Sequence, residues 1–243
     1  MIFYGLLFLL ITDVLFRFGG DGSRVLISMM EVVLLFIPLI ATIMGTMFIY
    51  NSRNYLEMLL CQPLKRTSIY WSFYLGLAIP MVVAYLLGTF IPFYYHGGYT
   101  TETMTPLFLM LSTGSVLTII FVAIAFLFAV YFEDRVKGLG LALFFWFFFT
   151  IIYDGIILFI IYGYADYPLE TPVIIMTLLN PVDLGRVLLL MNFDISALMG
   201  FTGAVFQDFF GSMQGIFISV GGLVVWVSVP FILGYRTFLK KDF

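Results

Sequence analysis

Apolar residues run along this chain in long unbroken blocks separated by short polar gaps. Five blocks, at about residues 26–50, 69–93, 107–130, 139–163 and 215–235, each exceed the roughly 20 residues that a helix needs to cross hydrocarbon. Runs such as 116–130 and 141–152 lack the strict alternation of outer-membrane strands and favour helices. An earlier block, residues 1–16, is shorter. It has no basic lead-in and no small-residue cleavage site before Arg17, so it reads as a retained helix rather than a cleaved signal. That first helix is either short or lacks an N-terminal piece. The pattern predicts an all-α polytopic membrane protein with six transmembrane helices, forming one membrane domain over residues 1–243.

The longest gap, residues 164–214, is more than a loop. Asn180 is placed to cap a helix opening at Pro181, with Asp183 at its third position beside the unpaired amides and Val182, Val187, Leu188 and Leu189 for packing. A second apolar stretch covers 195–210. Both are expected as short interfacial or re-entrant helices on the external side.

Basic residues set the expected orientation. With gaps 51–68 and 131–138 and the C-terminal tail in the cytoplasm, that side collects Arg53, Lys65, Arg66, Arg135, Lys137, Arg236, Lys240 and Lys241. The other side keeps Arg17, Arg24 and Arg186. This bias predicts both termini inside.

Composition narrows the function classes. Hydrophobic residues make up 63% of the 243 and charged residues 10%, too few charges to coat a soluble domain. A net charge of -3 offers no surface for nucleic acid, and the single cysteine, Cys61, excludes an internal disulfide. Gly19-Gly20-Asp21-Gly22-Ser23 lacks the lysine and spacing of a phosphate-binding loop, so ATP hydrolysis is not expected in this chain. Its one histidine argues against a multi-histidine metal centre.

Three regions hold candidate chemistry. In the first cytoplasmic gap, Leu56, Leu59 and Leu60 form an apolar stripe, Arg53, Asn54 and Glu57 face solvent, and Pro63 ends the helix. Such a helix either inserts into a partner or anchors the loop at the membrane surface. Among the acids, Asp13 and Glu31 lie toward external span ends, whereas Asp154 lies deeper and is the costliest to leave unpaired. No lysine or arginine stands in a span to partner it, which favours a Tyr-rich packing network over a charged pathway. Met104, Met110, Met176, Met191, Met199 and Met213 lie toward the external side with His96. Thioethers suit Cu(I), but no compact Met-x-x-Met spacing occurs there. No metal ligands are assigned, and direct copper binding stays open.

Three segments carry a resemblance: residues 55–63, YLEMLLCQP, followed by Leu64-Lys65-Arg66; residues 133–140, EDRVKGLG; and residues 178–186, LLNPVDLGR. Taken in order, they resemble ABC-2 type permeases, and more narrowly the membrane subunit of the ABC transporter that matures the copper centre of nitrous-oxide reductase. The resemblance covers nearly the whole chain. Relatives usually begin with a cytoplasmic amphipathic helix, whereas this sequence starts almost immediately in apolar residues, and they often place an acidic residue and glycine where this chain has Ser52-Arg53-Asn54.

The resemblance implies a non-catalytic subunit of the bacterial inner membrane. Arg53, Tyr55, Leu56, Glu57, Leu59, Leu60 and Pro63 would form and flank a coupling helix against a separate ATPase that holds ATP and magnesium. A homodimer would join two ATPase subunits among membrane lipids. A periplasmic beta-helical accessory protein would dock on an external surface including Asn180, Pro181, Val182, Asp183 and Arg186. Whether a substrate crosses or only motion is transmitted stays open. The alternatives are an ABC-2 exporter of lipid, polysaccharide or another hydrophobic substrate, and an ATP-independent membrane scaffold.

Overall fold

The computed structural model describes residues 1–98, 100–164, 170–190 and 213–241. The described residues are helical, with no strand among them. Helices α1 (Ile2–Gly19), α2 (Gly22–Asn51), α4 (Arg66–Tyr95), α5 (Thr101–Tyr131) and α10 (Met213–Lys240) are long and apolar. So is the span formed by α6 (Arg135–Phe147), a π-helical turn (Phe148–Ile152) and α7 (Tyr153–Gly163). Between them sit three short helices: α3 (Arg53–Leu60), α8 (Glu170–Leu178) and α9 (Pro181–Leu190). The chain is thus a multi-pass α-helical membrane protein, with six helices among the described residues long and apolar enough to cross a bilayer. The expected stretch at 195–210 lies outside the described residues.

Local chemistry explains the helix boundaries. α1 stops at Gly20, whose φ of 66° is left-handed and lets its amide reach the Phe16 carbonyl. Thr100 and Thr103 form a reciprocal capping box at the start of α5. Asp134 caps α6 by accepting from the Val136 amide at 2.8 Å. Several hydroxyls inside spans are satisfied within their own helix, as in Thr12 to Phe8, Thr46 to Thr42 and Thr118 to Gly114. Such back-bonding lets threonine enter a bilayer without an orphaned donor.

α5 is the hub, packing against α2, α4, α6, α9 and α10. Small residues admit its neighbours. A Cβ on Gly45 of α2 would come within 2.5 Å of Ala125, and Gly114 gives room to the Tyr85 ring of α4. The Tyr85 hydroxyl, in turn, donates to the Met110 carbonyl at 2.9 Å. α1 lies on α4 along a four-residue stripe of Tyr4, Phe8, Thr12 and Phe16. Edge-on ring contacts from Phe8 to Tyr85 and from Phe16 to Phe93 line that seam.

α8 and α9 fold back on each other, with a bend of 110° between Pro172–Leu178 and Pro181–Leu190. At the bend, the Asn180 amide donates to the Phe149 carbonyl at 2.7 Å, and Trp226 donates to the Leu178 carbonyl at 3.4 Å. Phe149 and Trp226 lie midway along their spans, so the bend is a wedge whose tip reaches the middle of the bundle.

Candidate functional site

Two polar assemblies stand out against the apolar bundle, one at the end where α3 lies and one around the wedge. The first is built from helix C-termini, whose last carbonyls have no partner within the helix and carry the negative pole of its dipole. Arg53 donates to the Glu133 carbonyl at 2.7 Å and to the Phe132 carbonyl at 3.3 Å, binding α3 to the turn between α5 and α6. The Arg53 guanidinium also lies over the Tyr50 ring, and the Tyr50 hydroxyl donates to the Phe132 carbonyl at 3.0 Å. Gly138 leaves space for that hydroxyl, which a Cβ would occupy. Lys241 donates to the Val130 carbonyl at 2.7 Å, and Arg66 to the Leu239 and Lys241 carbonyls at 3.2 and 2.9 Å. Burial, followed by the nearby Arg53 charge, holds the Lys241 ammonium below the ordinary lysine range, while Glu133 acts in the other direction. The turns and tail at this basic end are one connected layer.

Within that layer α3 is oriented differently from the expected coupling stripe. Leu56 is 1% exposed, and Leu59 and Leu60 are half-buried and packed on the core. The stripe therefore seats α3 on its own bundle, because those leucines find apolar partners there. The outward face carries Tyr55 (54% exposed) and Met58 (52% exposed), with Asn54, Glu57 and Pro63 also exposed. An apolar groove of about 560 Å³ opens beside it, walled by Phe48, Tyr55, Leu59, Leu64, Ile69 and Phe73.

The second assembly joins the wedge to the α6–α7 span. Asn180 accepts from the Val182 amide at 3.0 Å, as an N-cap, and donates to Asp183 at 2.8 Å. Arg186 then bridges Asp183 at 2.9 Å and Asp154 of α7 at 2.8 Å. The Tyr153 hydroxyl donates to the Met176 carbonyl at 2.8 Å, a second tie between α7 and α8. Asp154 was expected to lack a cationic partner. The structure corrects this: Arg186, 32 residues away and assigned to an external surface by its loop position, reaches Asp154 because α9 folds into the bundle.

The residues expected at a docking surface lie in this wedge. Asn180 and Val182 are fully buried, Pro181 is buried and Asp183 is 5% exposed. Their side chains pack in the interior of the wedge.

At the end opposite α3, Asp13 pairs with Arg17 at 2.8 Å and with His96 at 2.7 Å, and His96 stacks on Phe16. His96 thus acts as a clasp between α1 and α4. Of the expected soft donors, Met110 is fully buried, while Met191 and Met199 lie outside the described residues. Among the described residues, no three of His, Cys, Asp and Glu gather in a metal-binding group.

The profile of the family described as ABC-2 family transporter protein matches residues 13–243. The chain belongs to this family. No curated protein matches the sequence. As an ABC-2 protein the chain is the membrane subunit of an ABC transporter, and hydrolysis belongs to the ATPase with which such a subunit partners. Within this ABC-2 subunit, the basic-end layer and the ion-paired wedge occupy opposite halves of one connected bundle, both in contact with α5 and the α6–α7 span.

Sequence reasoning missed Arg186 as a partner of Asp154. The i, i+3 spacing of Asp183 and Arg186 behind an Asn-Pro cap was the available signal, since it places an ion pair on a helix too apolar to be a surface loop.

Proposed function

We propose that this ABC-2 subunit converts ATP hydrolysis by a cytoplasmic partner into displacement of the α6–α7 span and the wedge. The observation that carries this reading is the Arg53 bridge from α3 to the α5–α6 turn. A push on the exposed face of α3 is delivered through it to the end of the hub and to the base of the α6–α7 span. At the far half of that span, Asp154 and Arg186 pass the movement to the wedge. The contact on the ATPase is Tyr55 and Met58, with Glu57 at its edge, while Leu56, Leu59 and Leu60 hold α3 in place. Two copies of the chain and two ATPase subunits, loaded with ATP and magnesium, form the working unit in the bacterial inner membrane with both termini inside.

The external work is assembly of the copper centre of nitrous-oxide reductase, with copper as cargo and a periplasmic beta-helical accessory protein as recipient of the motion. The order of YLEMLLCQP, EDRVKGLG and LLNPVDLGR supports this destination. A second reading, export of a lipid, polysaccharide or other hydrophobic substrate, is favoured by a cleft beside α2 where Glu31, Asp154 and Arg186 stand among apolar residues.

Substituting Met58→Asp places a charge on the outward face of α3. The expected result is membrane insertion at the wild-type level with loss of the co-purifying ATPase. Co-purification at the wild-type level in a correctly inserted M58D protein would overturn the coupling assignment. Affinity purification of the intact complex tests the destination: a periplasmic repeat protein supports copper-centre assembly, and its absence together with substrate efflux supports export.

A further inference from the structure

The cleft beside α2 has a chemistry that neither coupling nor copper assembly uses. It measures about 330 Å³ and is lined by Glu31, Val32, Leu35 and Phe36 of α2, by Thr150 and Asp154 of the α6–α7 span and by Arg186 of α9. Glu31 stands nine residues inside α2, which begins at Gly22, and Asp154 stands nine residues before α7 ends at Gly163. At the rise of an α-helix, both carboxylates sit about 13 Å in from the same end of the bundle. Glu31 is exposed on the flank of its span, and Asp154 keeps 34% of its side chain exposed.

Charge balance decides which ligand can enter. Arg186 is engaged by Asp154 and Asp183, and Glu31 adds a third carboxylate to its surroundings. Three carboxylates around one guanidinium repel an anion and attract a cation. Thr150 supplies an independent sign. It is 7% exposed and lines the cleft, yet its hydroxyl has no hydrogen-bond partner among the described residues. Thr12, Thr46, Thr118 and Thr237 back-bond to the carbonyl four residues earlier, whereas Thr42 and Thr89, like Thr150, have no partner among the described residues, and of these three Thr150 is the one that lines the cleft. Thr150 lies in the π-helical turn, where that register is broken. A buried hydroxyl with no partner is costly unless a ligand completes it.

We propose that this cleft is a binding site for a primary ammonium group carried on an apolar body. The three N–H donors of such a group match the Glu31 carboxylate, the free lone pairs of Asp154 and the Thr150 hydroxyl. The chain or ring that follows lies along Val32, Leu35 and Phe36. An inorganic cation would use the acids but not the apolar wall, and a trimethylammonium group would have no hydrogen to donate. The proposal draws on the cleft that favours export but not on export itself. A failed efflux assay leaves ammonium binding standing, and failed binding leaves efflux standing.

Calorimetric titration of the full-length protein in neutral detergent at pH 7.5, corrected for partition into empty micelles, tests the site with dodecylamine, dodecyltrimethylammonium and dodecanol. Dodecylamine is expected to bind about tenfold more tightly than either comparator, as charge-assisted hydrogen bonds predict. Glu31→Gln and the near-isosteric Thr150→Val are each expected to reduce that preference to about threefold or less. Equal binding of the three probes, or an amine preference unchanged in both variants at wild-type thermal stability, would overturn the site. Two sources could supply the group, a free amphiphilic amine or an aminophospholipid headgroup. Native mass spectrometry after extraction from vesicles of equal phosphatidylethanolamine and phosphatidylcholine separates them. Selective retention of phosphatidylethanolamine that disappears in E31Q identifies the headgroup, and equal retention beside intact dodecylamine selectivity identifies the free amine.

Discussion

α5 and the α6–α7 span have nearly the same length and hydropathy, but they occupy opposite positions in the bundle. An 18-residue stretch of α5 is 72% buried, whereas the corresponding stretch of the α6–α7 span is 11% buried. In water such a difference would follow from hydrophobicity, but lipid tails are as apolar as leucine and do not sort helices that way. Close approach decides instead. α5 has Gly114, Thr118, Ala123, Ala125 and Ala129 where neighbours press against it. The other span presents Phe144, Phe147, Ile151, Leu158 and Phe159 outward, and nothing lies within 4 Å of where a Cβ on Gly140, Gly155 or Gly163 would stand. One span is packed all round, and the other packs on α2 and α5 along one side and leaves the rest of its surface exposed. A span held that way is suited to move.

The largest expected effect comes from cutting the tie. Arg186→Leu leaves Asp154 and Asp183 without their cation, at a cost of about 3 kcal/mol as for other pairs of limited exposure. Thermal unfolding of the purified protein should show this loss, and adding Asp154→Asn and Asp183→Asn should recover part of it. No change in R186L would mean that packing alone holds the α6–α7 span, and the contrast with α5 would collapse. Next in size is Gly114→Ala, whose Cβ would lie 2.5 Å from the Tyr85 hydroxyl in the hub. Overpacking of this kind costs about 1–3 kcal/mol, read by the same unfolding measurement. Arg53→Ala removes two bonds to carbonyls at a partly exposed position, a loss of about 1 kcal/mol. Its sharper readout is ATPase activity of the complex, which should become uncoupled from the membrane subunit while insertion stays normal. The smallest effect belongs to Gly155→Ala, with open space around it, expected within about 0.5 kcal/mol of wild type. Destabilisation of G155A equal to that of G114A would erase the distinction between hub and peripheral span.

Much of the architecture could be read from the chain because block length and helix caps are local. The span ends, the Asn180 cap and the amphipathic helix in the first gap all depend on residues within a few positions of one another. The identity of the hub could not be read that way, since hydropathy ranks α5 and the α6–α7 span alike. Nor could the direction of Leu56, Leu59 and Leu60, because an apolar stripe fits a partner and its own bundle equally well, and only the seating of α3 on the core distinguishes them. The Asp154–Arg186 pair was hidden for a different reason. It depends on the wedge folding back by 110°, a tertiary event without a local sequence mark that converts an apparent external arginine into an interior one.

The layer of cations at the basic end has a further consequence for how such a chain enters a bilayer. Lysines and arginines near span ends are the marks by which an inserting segment is sorted to one side. Arg53, Arg66 and Lys241 later become stoppers on the carbonyl ends of α5 and α10. The address label and the end fitting are therefore the same atoms. A substitution that relocates these charges to invert the chain would also leave two helices unfinished, so the mirror arrangement begins its assembly with open ends while the native one begins with them sealed.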